Sequence, residues 1–322
     1  MVHILLFLLF WAVGTVSATE APLTAKEILQ KMVKAMAETN YQGTVVFLKN
    51  DKLEAMKYFH SSNNEKEQER LVSLNSPPRE IVRNSDEIKC LYKLTRQVII
   101  DHRPFEHSFI IDVPKDLDEL DTSYRFEVVG EEDVAMLPSF VVAIQPKDDF
   151  RYVRKIWVAK ERYLPMKAVV YGLNELVLEQ VVFTEIQVDK PQPGNVETVA
   201  KAEPKHSEST TQADSQPMAF EVTALPQGFK QIFFSRKPLR QSDQPVDHLL
   251  LSDGFASVSV YLESKKDNPT ASTTVPEGMH SVGAVNSVRR TLADSHLTVL
   301  GEVPASTVKF IAEGVKLRNI TP

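Results

Sequence analysis

Nucleophilic, acid–base or metal chemistry would fall in this chain to few side chains. They are one cysteine, Cys90, seven histidines beyond the first eighteen residues, and an acidic cluster of Asp116, Asp118, Glu119 and Asp121. Cys90 sits inside an apolar, strand-like run, where a thiol is buried and inert rather than ionised and reactive. No G-x-S-x-G elbow is present to activate a serine. His60, His102, His107, His206, His248, His280 and His296 show neither H-x-x-x-H nor H-E-x-x-H spacing, the patterns that bring two imidazoles to one helix face. His102 and His107 fit a solvated turn better than a metal pair. The acidic cluster lacks the glycine and closing glutamate of an EF-hand loop, so it reads as a solvated helix face. With 11 glycines in the whole chain, no glycine-rich phosphate loop is present. The expectation is a chain that is not an enzyme, has no catalytic residue, no metal and no cofactor, and works by binding.

Two groups of residues carry binding chemistry. The first is apolar: Val45, Phe47, Phe59, Val153 and Trp157 lie on strand-like runs and could line a cleft beneath a helix. The plain alternative is that they pack the helix onto the sheet. The second is Phe229 to Arg240, where Lys230, Arg236, Lys237 and Arg240 alternate with Phe229, Phe233 and Phe234 and no acidic residue intervenes. Cations beside aromatics suit an anionic lipid or an acidic partner. Arg289 and Arg290 add charge on another strand. Here the alternative is a sheet edge protected by its cations.

The elements that must position these residues are legible from local pattern. Thr24 and Glu27 form a capping box, and Ile28, Leu29, Met32, Val33 and Met36 make one apolar helical stripe. About ten short strand-like runs follow, from Tyr41–Leu48 to Leu176–Ile186, rich in β-branched and aromatic residues. A short helical insert is expected near Pro114–Leu120. Later, Leu249–Leu251 and Phe255–Leu262 flank Asp253-Gly254 as a hairpin. Val282–Thr291 pairs with Leu297–Leu300, and a last helix runs from Pro304 to about Leu317. The fold class is therefore α+β and mostly β: an antiparallel sheet curled around a helix, then a smaller β-rich domain with a terminal helix.

The chain has 322 residues, a net charge of -6 and no cysteine pair for a disulfide, so it must bury a real core. Its acidity, held mainly by the first domain, argues against nucleic acid as a partner. The apolar run Ile4–Val13 is too short to span a bilayer, which takes about twenty residues. It ends in Val16 and Ala18, the pattern of a cleaved export signal over residues 1–18. Residues 189–217 hold four prolines and no Leu, Ile, Met or aromatic residue, the composition of a flexible linker. The expected domains are 19–188 and 218–322.

At this point the sequence resembles the MucB/RseB family of periplasmic regulators of envelope-stress sigma factors. The resemblance runs through Tyr41-Gln42-Gly43-Thr44, Ser76-Pro77-Pro78-Arg79-Glu80, Ile156-Trp157-Val158 and Leu164-Pro165-Met166-Lys167. It continues in Leu178-Glu179-Gln180, in Ser252-Asp253-Gly254-Phe255-Ala256-Ser257-Val258-Ser259-Val260 and in Gly301-Glu302-Val303-Pro304. It implies a first domain like the lipoprotein carriers LolA and LolB, an incomplete antiparallel barrel curled around a helix and holding a hydrophobic cleft. It also implies a second domain that docks onto the periplasmic part of a membrane anti-sigma factor and shields it from proteolysis. Binding of lipid or lipopolysaccharide would then release the partner. A lipid or lipoprotein carrier using the first-domain cleft is the competing reading, and a homodimer stays open.

Overall fold

The computed structural model of the chain describes residues 22–63, 66–75, 77–84, 88–92, 97–101, 108–111, 113–114, 116–189, 218–238, 245–265 and 276–318. The expected export signal, all but the first residue of the 189–217 linker, His102, His107, His206 and Arg240 lie outside the described residues.

Helix α1 (Ala25–Glu38) begins as the capping box requires. The Thr24 hydroxyl accepts from the Glu27 backbone N–H, and the Thr24 N–H donates to the Glu27 carboxylate at 2.7 Å. Eleven strands then form one antiparallel sheet: β1 (Tyr41–Lys49), β2 (Lys52–Asn63), β3 (Lys66–Ser73), β4 (Arg79–Arg83), β5 (Ile88–Tyr92), β6 (Gln97–Asp101), β7 (Tyr124–Val134), β8 (Leu137–Pro146), β9 (Val153–Ala159), β10 (Pro165–Tyr171) and β11 (Val177–Val188). Their order is β6-β5-β4-β3-β2-β1-β11-β10-β9-β8-β7. Two meanders are joined where β1 pairs with β11, and β6 and β7 remain as separate edges, so the barrel is open, as the family resemblance implies. Ile28, Leu29 and Met32 of α1 bury completely against Val142, Ile144, Ile156 and Val158. Each such side chain contributes about 1.5–3 kcal/mol. The expected insert near Pro114–Leu120 is reduced to a 3₁₀ turn at Glu119–Thr122.

The second half adds a two-stranded ribbon and a six-stranded sheet. The ribbon pairs β12 (Phe220–Val222) with β19 (Val315–Leu317). The sheet has the order β13 (Lys230–Pro238), β14 (Pro245–Ser252), β15 (Ser257–Ser264), β18 (Ser295–Gly301), β17 (Val285–Leu292), β16 (Gly278–Val282). Helix α2 (Ala305–Gly314) buries Val308 and Ile311 against Val258, Val260, Leu297 and Val299.

Three local expectations are corrected. The Val282–Thr291 run breaks into β16 and β17, turning at Gly283 with φ +61°. The Asp253-Gly254 turn is a four-residue loop between the paired Ser252 and Ser257, because the Asp253 carboxylate accepts from the Phe255 and Ala256 N–H groups at 3.0 and 2.7 Å. The last helix stops at Gly314 rather than near Leu317. Its final carbonyls at Ala312 and Val315 accept from the Arg290 guanidinium, and Val315 turns into a strand opposite Val222.

Candidate binding groove at the seam of the two sheets

Three consecutive residues of the β8–β9 loop, Phe150, Arg151 and Tyr152, each grip a different element of the second half. The Phe150 carbonyl accepts from the Thr307 hydroxyl at 2.8 Å, and its ring lies 5.1 Å from Phe310 of α2. Arg151, only 1% exposed, donates to Asp253, to Asp148 and to the Gln227 carbonyl. The Tyr152 hydroxyl accepts from Asn286 Nδ2 at 2.8 Å, and the same amide reaches the Val303 carbonyl at 2.7 Å.

Arg151 is a buried charge, and such a charge persists only where it is paired and hydrogen-bonded. Burial pulls its pKa down, but the hydrogen bond and charge of Asp253 outweigh this and the net direction is up. Its guanidinium also lies 4.9 Å from the Phe229 ring centroid and 5.4 Å from that of Tyr124. The Tyr124 hydroxyl donates to Asp253 at 2.8 Å; burial and then the Asp253 charge push its pKa well up, so it stays protonated. Two glycines make room. Gly228 (φ +87°) passes so close to Ser123 and Arg151 that a Cβ would clash, and Gly254 (φ +102°) packs against Pro114 and Leu120. Phe255 then inserts into the apolar cluster of the first sheet, 5.3 Å from Tyr124.

Beside this seam lies a groove of about 320 Å³. Tyr152, Gly172, Leu173, Asn174 and Leu178 form its wall from the first sheet; Gly283, Asn286, Pro304 and Ala305 form the wall from the second. Leu173 and Leu176, at the tip of the β10–β11 turn, are exposed. The Tyr152–Asn286 hydrogen bond joins the walls, and Lys49 adds a further bridge between the sheets, reaching Glu179 at 2.8 Å and Glu302 at 3.5 Å. The lining is mostly apolar with two fixed polar groups, the Tyr152 hydroxyl and the Asn286 amide, the make-up of a binding surface. Among the described residues, no group of three or more His, Cys, Asp or Glu side chains could hold a metal ion.

Comparison with known proteins gives this arrangement a lineage. The MucB/RseB N-terminal domain matches residues 24–212, and the MucB/RseB C-terminal domain matches residues 214–316. The chain belongs to the MucB/RseB family. A MucB/RseB relative, the sigma-E factor regulatory protein RseB of Escherichia coli (strain K12), is 29% identical over 296 residues, covering 90% of this chain and 89% of that protein. The sigma factor AlgU regulatory protein MucB of Pseudomonas aeruginosa is 26% identical over 319 residues, covering 97% and 96%. The solved complex of Pseudomonas aeruginosa MucA and MucB has the same fold, with a TM-score of 0.70 at 24% identity over 91% of this chain and 99% of that chain.

Within this MucB/RseB fold Val45, Phe47 and Trp157 share one core cluster, and the other residues singled out from sequence are dispersed. Val45 is fully buried opposite Met56, with Phe47 half-buried on the same strand face. Phe59 pairs with Gln42 and Arg70, and alternation puts it on the other face, under the Arg70 guanidinium at 5.4 Å. Trp157 and Val153 alternate with Ile156, which faces α1. The Trp157 indole donates to Glu132 at 2.8 Å, with Lys167 4.1 Å from its ring centroid. Lys230 reaches across the seam to Glu119 at 3.1 Å. Phe233 meets His248 edge-on at 5.1 Å, Phe234 packs against the second core, and Arg236 pairs with the buried Asp247 at 3.2 Å. Lys237 is half-buried on β13. Arg289 is buried 3.7 Å from Glu263, and Arg290 holds the end of α2. Cys90 is half-buried between Ile81 and Ile99 in the sheet register. None of these residues lines the groove. Arg151, Tyr152, Asp253, Phe255 and Asn286 build the seam, and only the Asp253-Gly254-Phe255 stretch was visible beforehand, as a turn.

Proposed function

We propose that this chain is a periplasmic negative regulator of an envelope-stress sigma factor. It holds the periplasmic part of a membrane anti-sigma factor in the groove between its two sheets and keeps the regulated protease from it. Lipid or lipopolysaccharide binding then releases the partner. The observation that carries this reading is a groove whose walls come from both halves of a chain matched over residues 24–212 and 214–316 by the two domains of a family whose relatives are named sigma-factor regulators. One of those relatives, MucB, has been solved in complex with MucA(peri). A binding mechanism of this kind needs no catalytic residue. Competition between two ligands suffices, provided each prefers a different state of the protein.

The carrier reading relies on an open apolar cleft. Against it stands the packing of that face by the chain's own residues: Ile110, with Phe109 and Ile111 beside it, joins Val45 and Trp157 in one buried cluster. The test is a purified-component assay. The periplasmic segment of the cognate anti-sigma factor is incubated with its site-1 protease, with and without this chain. Slower cleavage with the chain, reversed by lipopolysaccharide, is the expected result; unchanged cleavage together with no measurable binding overturns the reading.

A further inference from the structure

The groove takes its walls from both sheets, so its shape follows their relative angle, and the Tyr152–Asn286 hydrogen bond is one fastening between them. The stronger fastening is the Asp253-Gly254-Phe255 turn. Its single carboxylate does two jobs. One oxygen accepts from the Phe255 and Ala256 N–H groups, which shapes the turn. The other accepts from Arg151 and from the Tyr124 hydroxyl, which ties the turn to the first sheet. The shaped turn then delivers Phe255 into the cluster where α1, Tyr124 and Phe126 meet. Turn shape, charge pairing and ring insertion therefore form or fail together.

The same loop that supplies Arg151 supplies the groove. Tyr152 is one wall residue, and Phe150 holds α2, whose first residue Ala305 is another. We propose that Arg151, Asp253 and Phe255 are positioning residues: they latch the sheets at the angle at which the groove accepts its occupant, and occupancy and latching stabilise each other. Reciprocity follows from thermodynamic linkage. None of the three lines the groove, so their effect on binding must pass through geometry. The identity of the occupant rests on the function proposed above; the latch itself does not.

The experiment uses the full chain with Cys90→Ser and spin labels at Met136→Cys and Lys309→Cys, two exposed positions on opposite halves and outside the groove. Distance distributions are measured alongside affinity for the periplasmic segment of the cognate anti-sigma factor. One narrow distance is expected for the parent, and a broadened one for Phe255→Ala and for Asp253→Asn. Affinity should fall at least tenfold in both variants, recover in Phe255→Leu, and the bound segment should narrow the distribution again. Parent-like distances in both Phe255→Ala and Asp253→Asn overturn the latch. Broadened distances with affinity within twofold of the parent overturn it as well. Should Phe255→Ala not fold, Asp253→Asn and Phe255→Leu decide by the same measurements. If the parent binds no segment, the occupant is wrong and the distances alone judge the latch.

Discussion

Among the described residues, buried charge is tolerated only where it is shared. Glu69, 1% exposed on β3, accepts from Arg83 Nε at 2.8 Å, from the Tyr58 hydroxyl at 2.6 Å, from the Phe109 N–H at 2.9 Å and from Ser108. One carboxylate thus straps residues 108–111 across the first sheet. Nearby, His60 is buried, its Nδ1 2.8 Å from the Thr39 carbonyl and its ring stacked on Tyr41 at 4.8 Å. Burial lowers its pKa, with the Glu69 charge opposing. Below about pH 6.5 the unfolded chain therefore binds more protons than the folded one, so stability falls as pH drops through that value and is unaffected above it. His296 shifts the same way, by burial and then by Arg289. Urea midpoints at pH 7.5 and 5.5 should differ in the parent and differ less in His60→Gln, which can still donate to Thr39. Arg151→Leu removes one partner of a buried pair and should cost about 3–5 kcal/mol by urea unfolding; a cost below about 1 kcal/mol would show that Asp253 is satisfied without it.

At the scale of elements, local chemistry decides most of what forms. Thr24→Ala should lower stability by about 1 kcal/mol in thermal or urea melts, without changing partner affinity, because the capping box lies outside the groove. Gly254→Ala forces a side chain into φ +102° and should cost on the order of 1–3 kcal/mol, loosening the seam besides. The strands were legible because β-branched and aromatic residues recur in short runs. The end of α2 was not. Val308, Ile311 and Val315 keep helical spacing, yet Val315 is buried as a strand residue opposite Val222. Two structures satisfy the same apolar pattern there, and a tertiary contact, Arg290 on the last carbonyls, chooses between them.

For the molecule as a whole, charge is distributed rather than pooled. The cations of β13 that looked available in sequence are partly engaged: Lys230 with Glu119 across the seam, Arg236 with Asp247. As part of the proposed function, replacing Arg236, Lys237 and Arg240 together by Ala should weaken partner or anionic-lipid binding and flatten its salt dependence. A salt titration indistinguishable from the parent would return that strand to edge protection. The candidate groove was the least legible feature. Its residues are small or ordinary, Gly172, Asn174, Gly283, Ala305, and only Leu178 and Pro304 fall in segments that carry the family resemblance.

The sequence by itself determined the capped helix, the succession of strands, the composition break at 189–217 and the mostly β character of the fold. Each of these rests on interactions between residues a few positions apart, which local pattern records. Only the tertiary structure decided what those elements make together. Arg151 meets Asp253 across 102 positions, Tyr124 meets Asp253 across 129, Tyr152 meets Asn286 across 134, and Phe150 meets Thr307 across 157. Such pairs form because both members are desolvated at one seam and each is the other's available partner, a condition set by how two sheets pack and recorded in no local periodicity.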